Sequence, residues 1–220
     1  MNLNYKIILP FVGYLILAVN LALASVEFDL QPLGNLNKIL VSLKKGEQFG
    51  LGQVQGSFSR VQGKINFDIK SPAKTVGKII LDARSLRFGY HKVDGDAHQP
   101  QWLNSEKQPK ISFQLEGLSE ENWKGNTLGA KASGTLLLKN TTAPISFPVT
   151  IKYLCSKRKK FDGKPGDLLY FQGNLSLSRG NFGINPGNML GIIQDQINVE
   201  ISLIACSSGK RPLLPSRLFI

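Results

Sequence analysis

Apolar side chains return at every second position in segment after segment of this chain, beginning with Ile39, Val41 and Leu43. Ile65, Phe67 and Ile69 alternate with Asn66, Asp68 and Lys70, and Ile111, Phe113 and Leu115 alternate with Ser112, Gln114 and Glu116. Ile145, Phe147, Val149, Ile151 and Tyr153 follow in one run, and Ile197, Val199, Ile201 and Leu203 close the series. A period of two belongs to a strand with one buried face, not to a helix. Ser71-Pro72, Gly125-Asn126, Asp162-Gly163 and Pro186-Gly187 supply turns between the segments. No segment reads as a long amphipathic helix able to cover a sheet, so strands of the same chain must cover one another. A sandwich would do this, but a closed eight-stranded barrel also removes the exposed sheet edges, and the pattern favours the barrel.

A barrel of that size is either filled by its own side chains or holds one small ligand. The segment from Leu128 to Leu138 bears on the choice, because its inward parity reads Leu128, Ala130, Ala132, Gly134, Leu136, Leu138. Three small residues in succession point to unfilled volume, and Gly173 between Phe171 and Leu175 does the same. Small residues can instead oppose large ones and close the taper. The expectation taken forward is an apolar cavity.

The two ends differ from this body. Residues 1–24 hold one lysine, Lys6, an apolar run from Ile7 to Leu23, and Ala22-Leu23-Ala24 before Ser25, the small-x-small pattern of a cleaved signal peptide. An uncleaved anchor would need a longer uninterrupted run, and Pro10, Gly13 and Asn20 break this one. The organisation expected is therefore a signal peptide over 1–24, one exported barrel domain over 25–206 and a basic tail over 207–220, with a periplasmic location. The formal charge of the chain is +12. Part of the excess sits in Lys157-Arg158-Lys159-Lys160 and part at Lys210, Arg211 and Arg217. In an exported protein such a run suits contact with an anionic membrane surface, or is simply a solvated loop. Nucleic acid is not an expected partner, since no aromatic residues interleave with the basic run as a stacking site needs. Cys155 and Cys206 would meet an oxidising compartment. They end strands on opposite parities, and a disulfide between them is expected only if both chain ends bend over the strand that lies between.

Several short stretches, in order, resemble the YceI-like family of exported, lipocalin-like, polyisoprenoid-binding proteins. They are Val54-Gln-Gly56-Ser-Phe58, Gly63-Lys-Ile65-Asn-Phe67-Asp68, Ser85-Leu86, Gly89, Asp94, Trp102-Leu103 and Pro109-Lys-Ile111-Ser-Phe113. Gly134-Thr-Leu136, Pro144 and Arg179-Gly-Asn-Phe182-Gly183-Ile184 complete the set. The resemblance spans roughly Ser25 to Cys206. It implies an antiparallel eight-stranded barrel around a long apolar tunnel, an irregular or helical connection over 85–108, an isoprenoid chain or other amphiphile as ligand, and no reaction. The chain departs from the family pattern at Val93, where an arginine is usual, at Ala97, where a leucine is usual, and at Trp102-Leu103, where phenylalanines are usual. These departures put the head-group preference in doubt.

With that resemblance, Phe67, Ile79, Leu81, Phe113, Ala132, Phe147, Val149 and Phe171 are the expected tunnel lining, with Trp102 and Arg179 near its polar end. Arg179 has two readings: it pairs with an anionic head group through its forked donors, or it holds a turn together through backbone carbonyls. His91, Asp94, Asp96 and His98 carry atoms that bind zinc or copper, but their spacing matches no established metal motif, so no metal site and no cofactor are expected. Acid/base catalysis would need a converging nucleophile or polarising group, which the sequence does not offer. The function expected is a periplasmic binding protein, monomeric or dimeric, that carries an isoprenoid lipid or isoprenoid quinone. The rival is a barrel filled by side chains that serves as an interaction module for a membrane or respiratory partner.

Overall fold

A computed structural model of the chain describes residues 25–46 and 52–209; the leader expected over 1–24, and Lys210, Arg211 and Arg217 of the tail, lie outside the described residues. The strands are β1 (Ser25–Asp29), β2 (Lys38–Lys45), β3 (Gln53–Phe58), β4 (Val61–Asp68), β5 (Val76–Asp82), β6 (Leu86–Arg87), β7 (Lys110–Lys124), β8 (Thr127–Leu138), β9 (Thr141–Leu154), β10 (Leu168–Ser178) and β11 (Ile193–Ser207). Two short helices interrupt them, α1 (His91–Ala97) and α2 (Lys159–Asp162).

Six of the strands are halves of bent ones. β1 pairs with the far end of β11, Phe28 opposite Ser207, and β2 continues along the same strand with Lys38 opposite Ser202. β3 lies along β2 and β4 along β1, while β5 and β6 lie along β4 and β3. These three bent strands and the unbroken β7 to β11 form an antiparallel ring of eight, each member paired with its neighbours in sequence, with β11 returning to β1. This is the expected barrel.

The bends have local causes. Pro32 sits in a single-stranded 3-10 turn, Gln31–Leu36, that separates β1 from β2. The turn takes a backbone partner away from β11, and the Asn37 side chain replaces it: its Oδ1 accepts from the Ile204 N–H at 2.7 Å while its Nδ2 donates to the Leu30 carbonyl at 3.1 Å. Between β5 and β6 the turn Ala83–Ser85 is capped by Asp82, whose carboxylate accepts from the Arg84 N–H at 3.0 Å.

One end of the barrel is packed solid. Phe28 meets Tyr153 edge-on at 6.1 Å and Phe67 stacks on the same ring at 6.3 Å, with Leu128, Ile151 and Leu169 fully buried around them. The Tyr153 hydroxyl donates to Asp167 at 2.7 Å, and Asp167 also accepts from the Ser156 N–H. The basic run follows at this closed end. Its Arg158 is buried, paired with Asp162 at 2.9 Å and donating to the Ser207 carbonyl at 2.6 Å, which leaves Lys157, Lys159 and Lys160 as its exposed charges.

The disulfide expected between Cys155 and Cys206 is not formed; both are free thiols. Leu168 stands opposite both Leu154 and Cys206, so the two cysteines lie on strands two apart, about 10 Å across a regular sheet and beyond a disulfide's span. Cys206 packs on the outer face with Leu33, Leu168 and Ile204, and Cys155 packs against the inner core, so the ends do not bend toward each other.

Candidate functional site

The other end of the barrel is hollow. A cavity of about 790 Å³ runs down from the α1 end, floored by Ile65, Leu115 and Leu203. Its walls carry Ile79 and Leu81 from β5, Phe113 from β7, Phe147 from β9 and Phe171 from β10, five of the residues expected to line a tunnel, and Trp102 lines it as well. The side-chain-filled barrel is therefore not what the chain builds.

Four expected lining residues stand elsewhere. Phe67 is below the floor in the aromatic layer of the closed end. Ala132 is fully buried opposite Phe147 in the β8–β9 ladder, and Val149 is buried beside Gly173. The small residues from which a cavity was expected do not create it. A Cβ on Gly134 would lie 2.1 Å from the Gln114 carbonyl oxygen, and one on Gly173 would lie 3.0 Å from the Phe147 ring, so both glycines admit a close neighbour. The hollow lies nearer the mouth, where Leu136, Leu138, Leu175, Leu177 and Val199 face it across the barrel. The β11 alternation was the available signal for Val199, which pattern places on a wall but not at a given depth.

Arg179 is the fourth. It is fully buried, and all five guanidinium donors go to backbone carbonyls: Nε to Gln194 at 3.3 Å, one terminal nitrogen to Ile184 at 2.8 Å and Asn185 at 2.5 Å, the other to Asn188 at 2.5 Å and Ile193 at 3.2 Å. No donor remains for a head group, so the carbonyl-holding reading replaces the head-group reading. Burial pushes its pKa down and Asp195 opposes the shift. Asp195 itself accepts from Ser178 and from the Gly180 N–H, so its charge is spent on the same turn.

A cover over part of the mouth comes from α1 and the coil that follows it. Val93, Ala97, Trp102 and Leu103, the positions that depart from the family pattern, all line the cavity. Asp94 accepts from the Phe88 N–H at 2.5 Å and so fixes the entry to α1. His98 ties the coil down: its Nδ1 meets the Ser105 hydroxyl at 2.8 Å and its Nε2 the Leu86 carbonyl at 3.2 Å. Lys139, on the β8–β9 turn, donates to the Gln101 and Gly183 carbonyls at 3.1 and 2.6 Å, and burial lowers its pKa. Asp96 pairs with Lys92 at 2.9 Å, and His91 is exposed. Among the described residues no group of three or more His, Cys, Asp or Glu is placed to hold a metal. The charged groups that do reach the cavity, Lys45, Lys92 and Asp96, belong to its rim together with Gln53 and Tyr90.

The arrangement is an apolar sac with a polar lip, suited to an amphiphile whose chain enters first. The YceI-like domain model matches residues 22–205. The barrel is similar to that of BcnA from Burkholderia cenocepacia, with a TM-score of 0.62 and 18% identity over 77% of this chain and 96% of that one. It is also similar to the Campylobacter jejuni YCEI protein, with a TM-score of 0.60 and 19% identity over 71% of this chain and 86% of that one. A polyisoprenoid binding domain from Saccharophagus degradans, implicated in plant cell wall breakdown, gives a TM-score of 0.59 and 11% identity over 83% of this chain and 99% of that one. No curated protein gives a significant sequence match.

Proposed function

The chain belongs to the YceI-like domain family, and from that membership and the cavity we propose that it is a periplasmic binding protein that holds an isoprenoid lipid or isoprenoid quinone inside its barrel, without catalysis. The observation that carries this reading is a cavity of about 790 Å³ whose charged groups are confined to its rim. Each buried methylene contributes about 0.8 kcal/mol, so a chain of a few isoprene units binds without a dedicated polar contact. That is why no converging set of acids, bases and nucleophiles is needed in the sac. The similar Saccharophagus degradans domain, described as polyisoprenoid-binding, supports the same ligand class. The periplasmic location rests on the leader pattern of residues 1–24.

Native mass spectrometry of the protein exported to the periplasm and purified without detergent, with lipid analysis of an organic extract, tests the reading. An added mass released as a prenyl lipid or quinone supports it and identifies the head group. A bare polypeptide that takes up nothing from added lipid contradicts it.

A further inference from the structure

The barrel wall is not closed all the way round. β9 and β10 pair from Leu154 opposite Leu168 as far as Val149 opposite Gly173 and stop there, although β9 begins back at Thr141 and β10 runs on to Ser178. On their other sides both strands are paired throughout this region, β9 with β8 and β10 with β11.

Two prolines account for the split. The Tyr153 N–H donates toward β8, to the Asn126 carbonyl at 3.0 Å. Backbone N–H groups alternate in direction along a regular strand, so in β9 the odd-numbered residues turn theirs to β8 and the even-numbered residues turn theirs to β10. Pro144 and Pro148 stand at even positions, and neither has an N–H to donate. The β8 ladder loses nothing, running unbroken through Thr135 opposite Pro144 and Lys131 opposite Pro148. Only the β10 side loses donors, since of the even positions 144, 146 and 148 Ser146 alone keeps an N–H to turn toward it.

The split is a space. A pocket of about 320 Å³ fills it, lined by residues 145–148 of β9 and 174–177 of β10. Ile145, Phe147, Leu175 and Leu177 line the central cavity too, so the slit adjoins the interior on its apolar side, while the exposed Ser146, Pro148, Asn174 and Ser176 form its outer side. The cavity of about 790 Å³ has room for roughly 25 chain atoms if each takes about 30 Å³, the share of one water in the liquid, or about five isoprene units. A longer chain must leave the barrel somewhere.

We propose that the slit between β9 and β10 is a side portal through which the tail of a bound chain leaves the barrel, so that the protein accepts apolar chains longer than its cavity. This rests on the binding reading above and narrows its ligand class to chains whose far end is carried outside. The same prolines argue against the slit as a docking edge for a foreign strand, because a strand added to β9 would find two of its donors missing.

Ser146 and Ser176 would face each other if the register of Val149 and Gly173 continued. A Ser146→Cys, Ser176→Cys protein, with Cys155 and Cys206 exchanged for alanine, can therefore be bridged across the slit by a disulfide or a short cleavable cross-linker. Geranylgeraniol and undecaprenol are then titrated into the open and bridged forms. Bridging should leave geranylgeraniol binding within about two-fold and weaken undecaprenol by about ten-fold or more, since its excess length can then leave only through the mouth, past the charged rim of Lys45, Lys92 and Asp96, and cleaving the bridge should restore it. Undecaprenol bound equally well by both forms overturns the portal while leaving the binding reading intact. Failure of the open form to bind either prenol overturns both. Should the bridge weaken geranylgeraniol as well, a Pro144→Thr, Pro148→Thr protein, which gives β9 back its donors, is read by the same ratio of the two prenols.

Discussion

The Arg179 guanidinium lies 5.4 Å from the centroid of the Trp102 ring, and this contact joins the loop beyond β10 to the coil beyond α1 over one side of the cavity mouth. The same guanidinium gathers carbonyls from Ile184 to Gln194, so one side chain sets both the shape of the loop and the position of the tryptophan. Arg179→Lys keeps the charge but lacks the fork, and should lower stability by about 2 to 4 kcal/mol, as several buried carbonyls lose their donor. Urea unfolding of the single variants and of Arg179→Lys with Trp102→Leu should give a coupling of about 1 to 2 kcal/mol, the range of a partly desolvated cation over an aromatic face. Additive effects would show that the two residues act separately.

Asp82 governs the bend between β5 and β6. The Arg84 side chain, 2.9 Å away, is the main reason its pKa falls to about 2, with the Arg84 N–H and the Arg60 charge adding to the shift against some burial. A carboxylate whose folded pKa is depressed contributes stability above its ordinary value near 4, and that stability is lost as the pH falls toward about 2. Chemical denaturation at a series of pH values should show this acid limb in the native protein and a shallower one in Asp82→Asn. An unchanged slope over that window would show that Arg84 does not hold the carboxylate when the chain is in solution.

At the closed end, Tyr153→Phe removes a hydroxyl that donates to Asp167 and leaves both ring contacts in place. The expected loss is about 1 kcal/mol, the net contribution of one hydrogen bond. Prenol binding should not change, since Tyr153 lies below the cavity floor. A loss of binding would mean that the cavity extends through the aromatic layer.

The alternation of Ile145 to Tyr153, and of Ile197 to Leu203, makes the barrel legible from sequence because burial on one face of a strand writes itself with a period of two. The bends do not show in that way. Asn37 reads as an ordinary turn residue until its side chain is seen bonding Ile204, more than 160 residues away in sequence. The lining was legible by wall but not by depth: Phe67 and Phe113 have the same parity, yet one closes the barrel and the other faces the cavity. Arg179 illustrates a further limit, because a buried arginine beside aromatic residues looks alike from sequence whether its donors meet a ligand or its own loop. Pro144 and Pro148 stand within the Ile145 to Tyr153 alternation or beside it, but which ladder each one interrupts depends on the direction of its missing N–H, and the Tyr153 bond fixes that direction only in three dimensions.

Uptake from vesicles tests the central claim most directly. Lipid-free protein is incubated with vesicles carrying radiolabelled geranylgeraniol, separated from them, and counted beside a Val199→Trp variant, whose indole would enter the cavity from β11. About one chain per native molecule and little uptake by the variant are expected, with the variant's unfolding midpoint preserved or raised because the added ring fills empty space. Equal uptake by both proteins, or none by the native one, would contradict the claim.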